Sequence, residues 1–389
     1  MADHIGHRIA ARRQFRRMTQ RELAAAAHLS LGMIRQIEQG TRAPSPTAQE
    51  TIAAALGVDP ARLDPGYAGT AHRVHAALPS ISAAIAGYDV RLDPPTRRRE
   101  ELRRQVTAAV VQRLAAQYGL IAGAAPGLLR DTLALLHYSA GEQREDAARL
   151  LAAAARCADA AAYKYGAHDL SARLIDVMRW AAVQADDPVL WTSVAYTSAE
   201  TYLAAHAYRV GQAALEKALD ASPAPATVPS AAARGALSMR TAVVAARAGA
   251  ADAAYAHLTR AGALADGLPE GVYLGTAFGP SSVRIHEVAV AVSLGQDHIG
   301  RALGVAREWK PGTEVPAERQ SGFYVEVGRA QLWAGQPDAA FESLKVARRL
   351  APQHVREHPW ARQDIEKIRR IKRADAESLS SFAEWIGAV

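Results

Sequence analysis

The 389-residue sequence holds a single cysteine, Cys157, so no disulfide can form within the chain, and a reducing, cytoplasmic setting is the simplest expectation. Aromatic residues make up only 6% of it, and the 49% that is hydrophobic is dominated by Ala and Leu. Uninterrupted apolar runs of about eighteen residues, the length a membrane-spanning helix needs, are missing because charges break the alanine-rich stretches. The opening MADHIGHRIAARRQF lacks an apolar signal core. A soluble protein with no membrane contact is expected. Glycine-rich phosphate loops, nucleophile motifs and metal-ligand spacings are also missing. The thirteen histidines are scattered: His354 and His358 lie four apart, but Pro359 follows at once and no glutamate-based zinc motif surrounds them. These absences speak against an enzyme, a metal site and a cofactor.

Alanine has the highest helix propensity and lets helices pack closely, so the composition predicts an almost entirely helical protein. Lys and Arg (46) exceed Asp and Glu (39), giving a formal charge of +7, and the pI is near 9.6. That balance suits a polyanionic partner without requiring one.

The N-terminal segment is punctuated most clearly. Ile5, Ile9, Ala10 and Phe15 offer a stripe for a first helix, surrounded by Arg8, Arg12, Arg13, Arg16 and Arg17. Thr19 and Glu22 form a capping box for a second helix over 20–27. Leu29-Ser30 make a turn, with Ser30 capping a third helix over 31–39 that Gly40 stops. Ala43-Pro44-Ser45-Pro46 reads as an extended loop, followed by a fourth helix over 47–56 ended by Gly57. Asp59-Pro60 opens a last short helix through Leu63. Two short helices joined by a tight turn, with the second free to lie in the DNA major groove, are the sequence shape of a helix-turn-helix.

Residues 64–100 read as a connector. It holds Pro65-Gly66, Pro79, Gly87 and Pro94-Pro95 around an apolar helical patch of Val74, Leu78, Ile81 and Ile85. Arg97-Arg98-Arg99-Glu100-Glu101 opens the next long helix as a solvated mixed-charge face. Over 101–389 the chain repeats weakly. Leu170-Ser171, Ala213-Ala214, Ala253-Ala254, Ile299-Gly300 and Ala339-Ala340 each follow a short turn, at spacings of 43, 40, 46 and 40 residues. Units of this kind cannot bury their own faces and stack into a solenoid. Gly335-Gln336-Pro337-Asp338-Ala339-Ala340 resembles the turn and second-helix start of a tetratricopeptide repeat, whose usual length is about 34 residues. The expected architecture is therefore all-α: an N-terminal five-helix helix-turn-helix domain (1–63), a connector (64–100) and an α-solenoid of tetratricopeptide-like helical hairpins (101–389). A basic run near the C-terminus, from Arg348-Arg349 to Lys372-Arg373, reads as the solvated face of a capping helix.

Residues 4–63 resemble the Cro/repressor-type (xenobiotic-response-element) helix-turn-helix family. The resemblance lies in Arg8, Arg12, Thr19-Gln20, Glu22-Leu23-Ala24, Ile34, Ile37-Glu38-Gln39-Gly40, Arg42, Pro44 and Leu56. It implies double-stranded DNA as partner. Gln20, at a helix N-terminus, suits a phosphate. Ser30, Leu31, Gly32, Arg35 and Gln36 would stand on the groove-facing side of the third helix. There Arg35 can pair with guanine, Gln36 with adenine, and Leu31 can touch a thymine methyl. Thr41 and Arg42 would hold backbone phosphate. A plain solvated helix face is the alternative for Arg35 and Gln36.

The remainder resembles actinobacterial regulators that join this domain to a degenerate tetratricopeptide-like solenoid, through AVVAARAGAADAAYAHL (242–258), FGPSSVRIHEVAVAVSLG (278–295) and RLAPQHVREHPWARQDIEKI (349–368). That resemblance implies a homodimeric transcription regulator on a two-fold operator, with a solenoid that senses a peptide or small molecule. In the segment from Phe278 to Glu287, Ser281 or Ser282 can cap a helix that carries Arg284, His286 and Glu287 in its first turns, which suits a carboxylate, with an ordinary capped helix and a satisfied His286 as the alternative. Trp180, Trp191, Tyr196, Tyr202, Tyr273, Tyr324 and Trp333 could line a concave groove, with gap-filling between alanine-rich helices as the alternative. A protein–protein adaptor or a ligand-independent repressor remain the rival functions.

Overall fold

The computed structural model describes residues 4–58, 60–64, 69–371 and 376–388. Asp59, Pro65-Gly66 and Lys372-Arg373, used in the readings above, lie outside the described residues. Five helices open the chain: α1 (Ile5–Phe15), α2 (Gln20–Ala26), α3 (Leu31–Glu38), α4 (Pro46–Leu56) and α5 (Pro60–Leu63). Their boundaries follow local chemistry. Thr19 and Glu22 exchange both bonds of a capping box. Ser30 accepts from the Met33 amide and Ser45 from the Ala48 amide, each satisfying a donor the helix start leaves free. Gly57 ends α4 in the left-handed region at φ 66°. The turn between α2 and α3 passes through His28 at φ 52°, a left-handed position without glycine. Ile9, Leu23, Ile34, Ile37, Ile52, Leu56 and Leu63 converge in one buried cluster.

The stretch read as a connector carries α6 (Thr70–Ala84). Its Val74 and Ile81, with Ile85 just beyond, are buried in the largest apolar cluster of the chain rather than strung along a linker. Pro79 lies inside this helix without ending it. Next come α7 (Arg99–Leu114) and α8 (Tyr118–His137). The 97–101 run is not simply solvated: Arg97 pairs with Asp131 at 2.8 Å and Arg99 with Asp146 at 2.9 Å. By length and composition α8 could cross a membrane, with a mean hydropathy of 1.3. Its Ile121, Ala125, Leu129 and Leu136 are instead buried in that cluster, against α6, α7 and the helix that follows.

The body continues as helical hairpins: α9 (Glu142–Lys164) with α10 (His168–Ala185), α11 (Pro188–Ala204) with α12 (Tyr208–Asp220), α13 (Val228–Arg247) with α14 (Ala251–Ala265), α15 (Pro280–Leu294) with α16 (Ile299–Glu308), and α17 (Ala317–Trp333) with α18 (Pro337–Leu350). The all-α reading and its repeated hairpins hold. The five marker pairs all fall near the start of a second helix, yet their packing differs. Ala254 and Ala340 are buried, whereas in α12 Gly211 and Leu215 take the inner positions and Ala213 is exposed. One small addition breaks the helical rule. β1 (Gly271–Tyr273) and β2 (Thr276–Phe278) pair antiparallel between α14 and α15, turning through Leu274 (φ 47°) and Gly275 (φ 76°) as a primed two-residue hairpin does. Short α19 (Pro352–Arg356), α20 (Pro359–Ile371) and α21 (Ala376–Ile386) close the chain.

The N-terminal helices dock on the body through α4. Glu50 is buried and accepts from Arg73 of α6 at 2.9 Å, from Gln353 of α19 at 2.6 Å and from the Thr70 hydroxyl. Arg348, read above as part of a solvated basic face, is buried. It donates to the Ala54 carbonyl at 2.8 Å and lies over the Trp385 ring at 4.3 Å.

Candidate nucleic-acid interface and central cavity

The α3 face opposite Ile34 and Ile37 is open to solvent. Gly32, Arg35, Gln36 and Gln39 are exposed, followed by exposed Thr41 and Arg42. Leu31 is half-buried and packs on the head core with Met33, so its side chain divides between core and surface. Ser30 spends its hydroxyl on the cap at 3.1 Å. Thr41 donates its own to the Gln36 carbonyl at 3.1 Å, closing the helix end. Arg35, Gln36 and Arg42 form no side-chain hydrogen bond or ion pair among the described residues.

The frame that holds α3 contains a residue that the resemblance includes but to which the sequence reading gave no role. Glu38, buried at its C-terminal end, takes a two-pronged contact from Arg13 of α1, at 2.7 and 2.8 Å. It also accepts from the Gln20 amide at 2.8 Å. Gln20 therefore directs its side-chain NH2 toward Glu38, and its backbone N–H is the donor left for a phosphate. Burial by itself raises the Glu38 carboxyl, but the Arg13 and Gln20 hydrogen bonds outweigh it and leave it below its ordinary value. Arg13 also donates to the Met18 carbonyl at 2.9 Å, and Arg8 donates to the Leu63 carbonyl at 2.6 Å. Part of the basic face of α1 thus ties helices together. Gly6 of α1 sits where a Cβ would strike the Ile37 carbonyl, so the close crossing of α1 and α3 requires glycine there.

Residues 4–65 match the family model of a helix-turn-helix domain. No curated protein sequence matches the chain. Among solved structures it is similar to Bacillus thuringiensis PlcR in complex with the peptide PapR7 and DNA. That alignment has 15% identity, covers 68% of this chain and 95% of that one, and has a TM-score of 0.29.

Behind the helix-turn-helix head, the first helix of each hairpin turns the same face inward. Arg156 of α9, Glu200 of α11, Arg240 of α13, His286 of α15 and Arg319 of α17 surround a central cavity of about 600 Å³, closed at one side by His354 of α19 and Trp360 of α20. A second, shallower cavity of about 440 Å³ lies between α11 and α12 and is walled by Trp191 and Tyr202.

The eight residues proposed for ligand contact, Trp191, Tyr196, Tyr202, Phe278, Ser282, Arg284, His286 and Tyr324, do not share one site. Trp191 and Tyr202 belong to the smaller cavity, His286 to the central one. Tyr196 is fully buried beside the central cavity, with Arg240 over its ring at 4.4 Å. Tyr324 stacks edge-on against Phe323 at 5.3 Å, filling space between helices. Phe278 is buried in the notch left by Gly235, where a Cβ would overlap its ring. The carboxylate expected at Ser282 is the chain's own. Glu270 accepts from the Ser282 amide at 3.0 Å and from its hydroxyl at 2.5 Å. Arg284 points to Glu287 at 3.9 Å on a half-exposed surface. The α15 N-terminus is thus internally satisfied.

Charged groups the sequence reading did not select fill the central cavity instead. Arg156 holds Glu200 at 3.0 Å, and Lys164 holds Glu318 at 3.4 Å. Arg240 donates to the Tyr196 hydroxyl at 2.8 Å, and Arg319 donates to the same oxygen. Burial alone would raise this phenol, but the guanidiniums of Arg240, Arg319 and Arg156 bring it down to about 8. His286 gives its Nδ1 to the Ser282 carbonyl at 2.8 Å. Burial and nearby Arg319 drive its pKa down to about 3, so it stays neutral. A signal for these residues was present: single charges inside otherwise alanine-rich first helices are costly unless they face partners or a site.

Proposed function

We propose that the chain is a DNA-binding transcription regulator whose α3 enters the major groove of double-stranded DNA. The observation that carries this reading is the open α3 face, with Arg35 and Gln36 unengaged beside a helix frame locked by Glu38. Arg35 is suited to guanine and Gln36 to adenine in two-bond contacts. Arg42, the Gln20 backbone and the α2 N-terminus are suited to phosphates. With Leu31 half-buried and Gly32 bare, one head reads few bases. Two copies on a two-fold operator, with half-sites about 34 Å apart or a multiple of that, supply the remaining selectivity. A homodimer in the cytoplasm is the working assembly.

The central cavity is the effector site in this reading. Support comes from α19, where consecutive side chains serve opposite partners: Gln353 bonds Glu50 of the head, and His354 lines the cavity. An effector that favours one placement of α19 shifts the head, provided its affinity differs between the two placements.

The test uses sites selected from a random duplex pool, measured by anisotropy and footprinting at one salt concentration. At about 1–3 kcal/mol per two-bond contact, R35A with Q36A weakens the selected site on the order of a hundredfold or more and spares nonspecific binding. Unchanged footprints sink the assignment of α3.

A further inference from the structure

The central cavity holds more positive charge than its own carboxylates neutralise. Six Arg or Lys side chains line it against four Glu. Two of those carboxylates are engaged, Glu200 by Arg156 at 3.0 Å and Glu318 by Lys164 at 3.4 Å. Four guanidiniums are left on neutral acceptors, Arg113 on the Gly275 carbonyl and three more that line the same cavity. Arg240 and Arg319 share the Tyr196 hydroxyl, and Arg240 comes no nearer to Glu200 than 4.0 Å. Arg247 donates to the Ser293 hydroxyl at 3.1 Å and lies over the Trp360 ring at 4.4 Å. The Arg240 Nε is a buried donor with no acceptor. Glu326 faces these arginines yet accepts nothing with its buried Oε2. Burial pushes its carboxyl up to about 8 against their pull, so at neutral pH it is largely uncharged.

Arginine does not shed its proton in proteins, and a cation held inside a protein without a charged partner is costly. An anion from outside lowers that cost. We infer that the central cavity binds a small acidic ligand, carrying a carboxylate or phosphate group held by Arg240, Arg247 and Arg319. The planar guanidinium fork matches either oxyanion in a two-bond contact. Trp360 and Phe323, also on the cavity wall, provide apolar surface for the rest of the molecule. The volume of about 600 Å³ falls within the range usual for small-molecule sites. As a ligand class for the proposed effector site, this inference rests on the regulator reading; as a binding site, it stands on the cavity alone.

Inorganic phosphate and succinate serve as probes of the full chain, without DNA, titrated by calorimetry against chloride at matched ionic strength. Saturable binding of one anion per chain is expected from at least one probe. The bound anion takes positive potential away from Tyr196, so its tyrosinate absorbance at fixed alkaline pH falls, a change that vanishes in Y196F. R247Q, which removes a half-buried guanidinium held, among the described residues, by Ser293 and Trp360, should weaken binding at least tenfold while leaving the circular dichroism unchanged. R319Q should do the same where it folds. R35A with Q36A should bind the probes as the parent does, which separates the cavity from the DNA-reading face. The inference is overturned if neither probe binds saturably, or if R247Q binds both unchanged. Anion binding with no effect on operator affinity would keep the site and remove its regulatory role.

Discussion

Glu38→Ala tests whether α3, the proposed DNA-reading helix, is held by a buried charge or only by its apolar face. The substitution removes three hydrogen bonds, two from Arg13 and one from Gln20. It leaves Arg13 with the Met18 carbonyl as its remaining hydrogen-bond partner among the described residues. Truncating one side of a buried pair costs about 3–5 kcal/mol, mostly because the other charge is stranded. The Arg13 side chain keeps 12% exposure, so water recovers part of that cost and the lower end, about 3 kcal/mol, is expected. If α1 to α5 open as a unit, that amounts to a fall on the order of a hundredfold in hydrogen-exchange protection across α1 and α3. Amides of α13 in the body should keep theirs. Because the folded Glu38 lies below its ordinary value of 4.5, its contribution is complete above that pH. It is lost as pH falls through the folded value, so the parent and E38A should converge in acid. R13A with E38A should cost less than the two single changes summed. A protection loss below about threefold in E38A, or an undiminished gap between E38A and the parent at low pH, refutes the argument.

Two further outcomes follow from the packing. Phe278→Ala should lower the urea midpoint by an amount corresponding to about 3–5 kcal/mol, and Gly235→Ala should also lower it by displacing the same ring, since the notch and ring are complementary; equal midpoints in all three proteins would show that the ring is not packed there. Gln353→Ala removes the bonds to Glu50 and to the Gly119 amide. In hydrogen exchange α19 should then open more readily, with α3 unchanged, and protection of α19 equal to that of the parent would count against its bridging role.

What could be read from the chain beforehand was whatever is encoded locally. Thr19-Glu22, Ser30 and Gly57 act within one helical turn, and each stands where the sequence put it, whereas Ser45, read as part of an extended loop, caps α4. The hairpin array was legible for a similar reason: every unit repeats the same short turn. Its marker pairs located the turns but not the inner face, which in α12 passes to Gly211 and Leu215. The β-hairpin carried no turn signature, because Leu274 occupies a left-handed position that glycine or asparagine usually fills. The charge centres were hidden by distance along the chain. Arg13 reaches Glu38 across 25 residues, and Gln353 reaches Glu50 across 303, so no spacing announces either pair. Aromatic residues were a poor guide to the cavity for a physical reason. In a chain so rich in alanine, the few large rings are needed to fill space between helices, as Phe278 and Tyr324 do.

The arrangement of α19 bears on why a small ligand could matter to a distant reading helix. It has five residues, too few to deform internally without losing its only turn. Its Val355 is fully buried in the C-terminal cluster, Gln353 is shared between Glu50 and the Gly119 amide, and His354 is held by Ser321 of α17 at 3.1 Å. A shift of this segment toward the cavity therefore stretches the Gln353–Glu50 bond, and a shift toward α4 draws His354 from Ser321. Packed interiors respond to such competing demands by switching between arrangements rather than by gradual yielding. Arg348, one turn earlier on α18, binds the Ala54 carbonyl near the end of α4, so both ends of the contact move with the same C-terminal cluster. The head is thus mounted on the part of the solenoid that closes the central cavity. In the proposed effector reading, an occupant of that cavity would act on the mounting directly, without a chain of intermediates through the other hairpins.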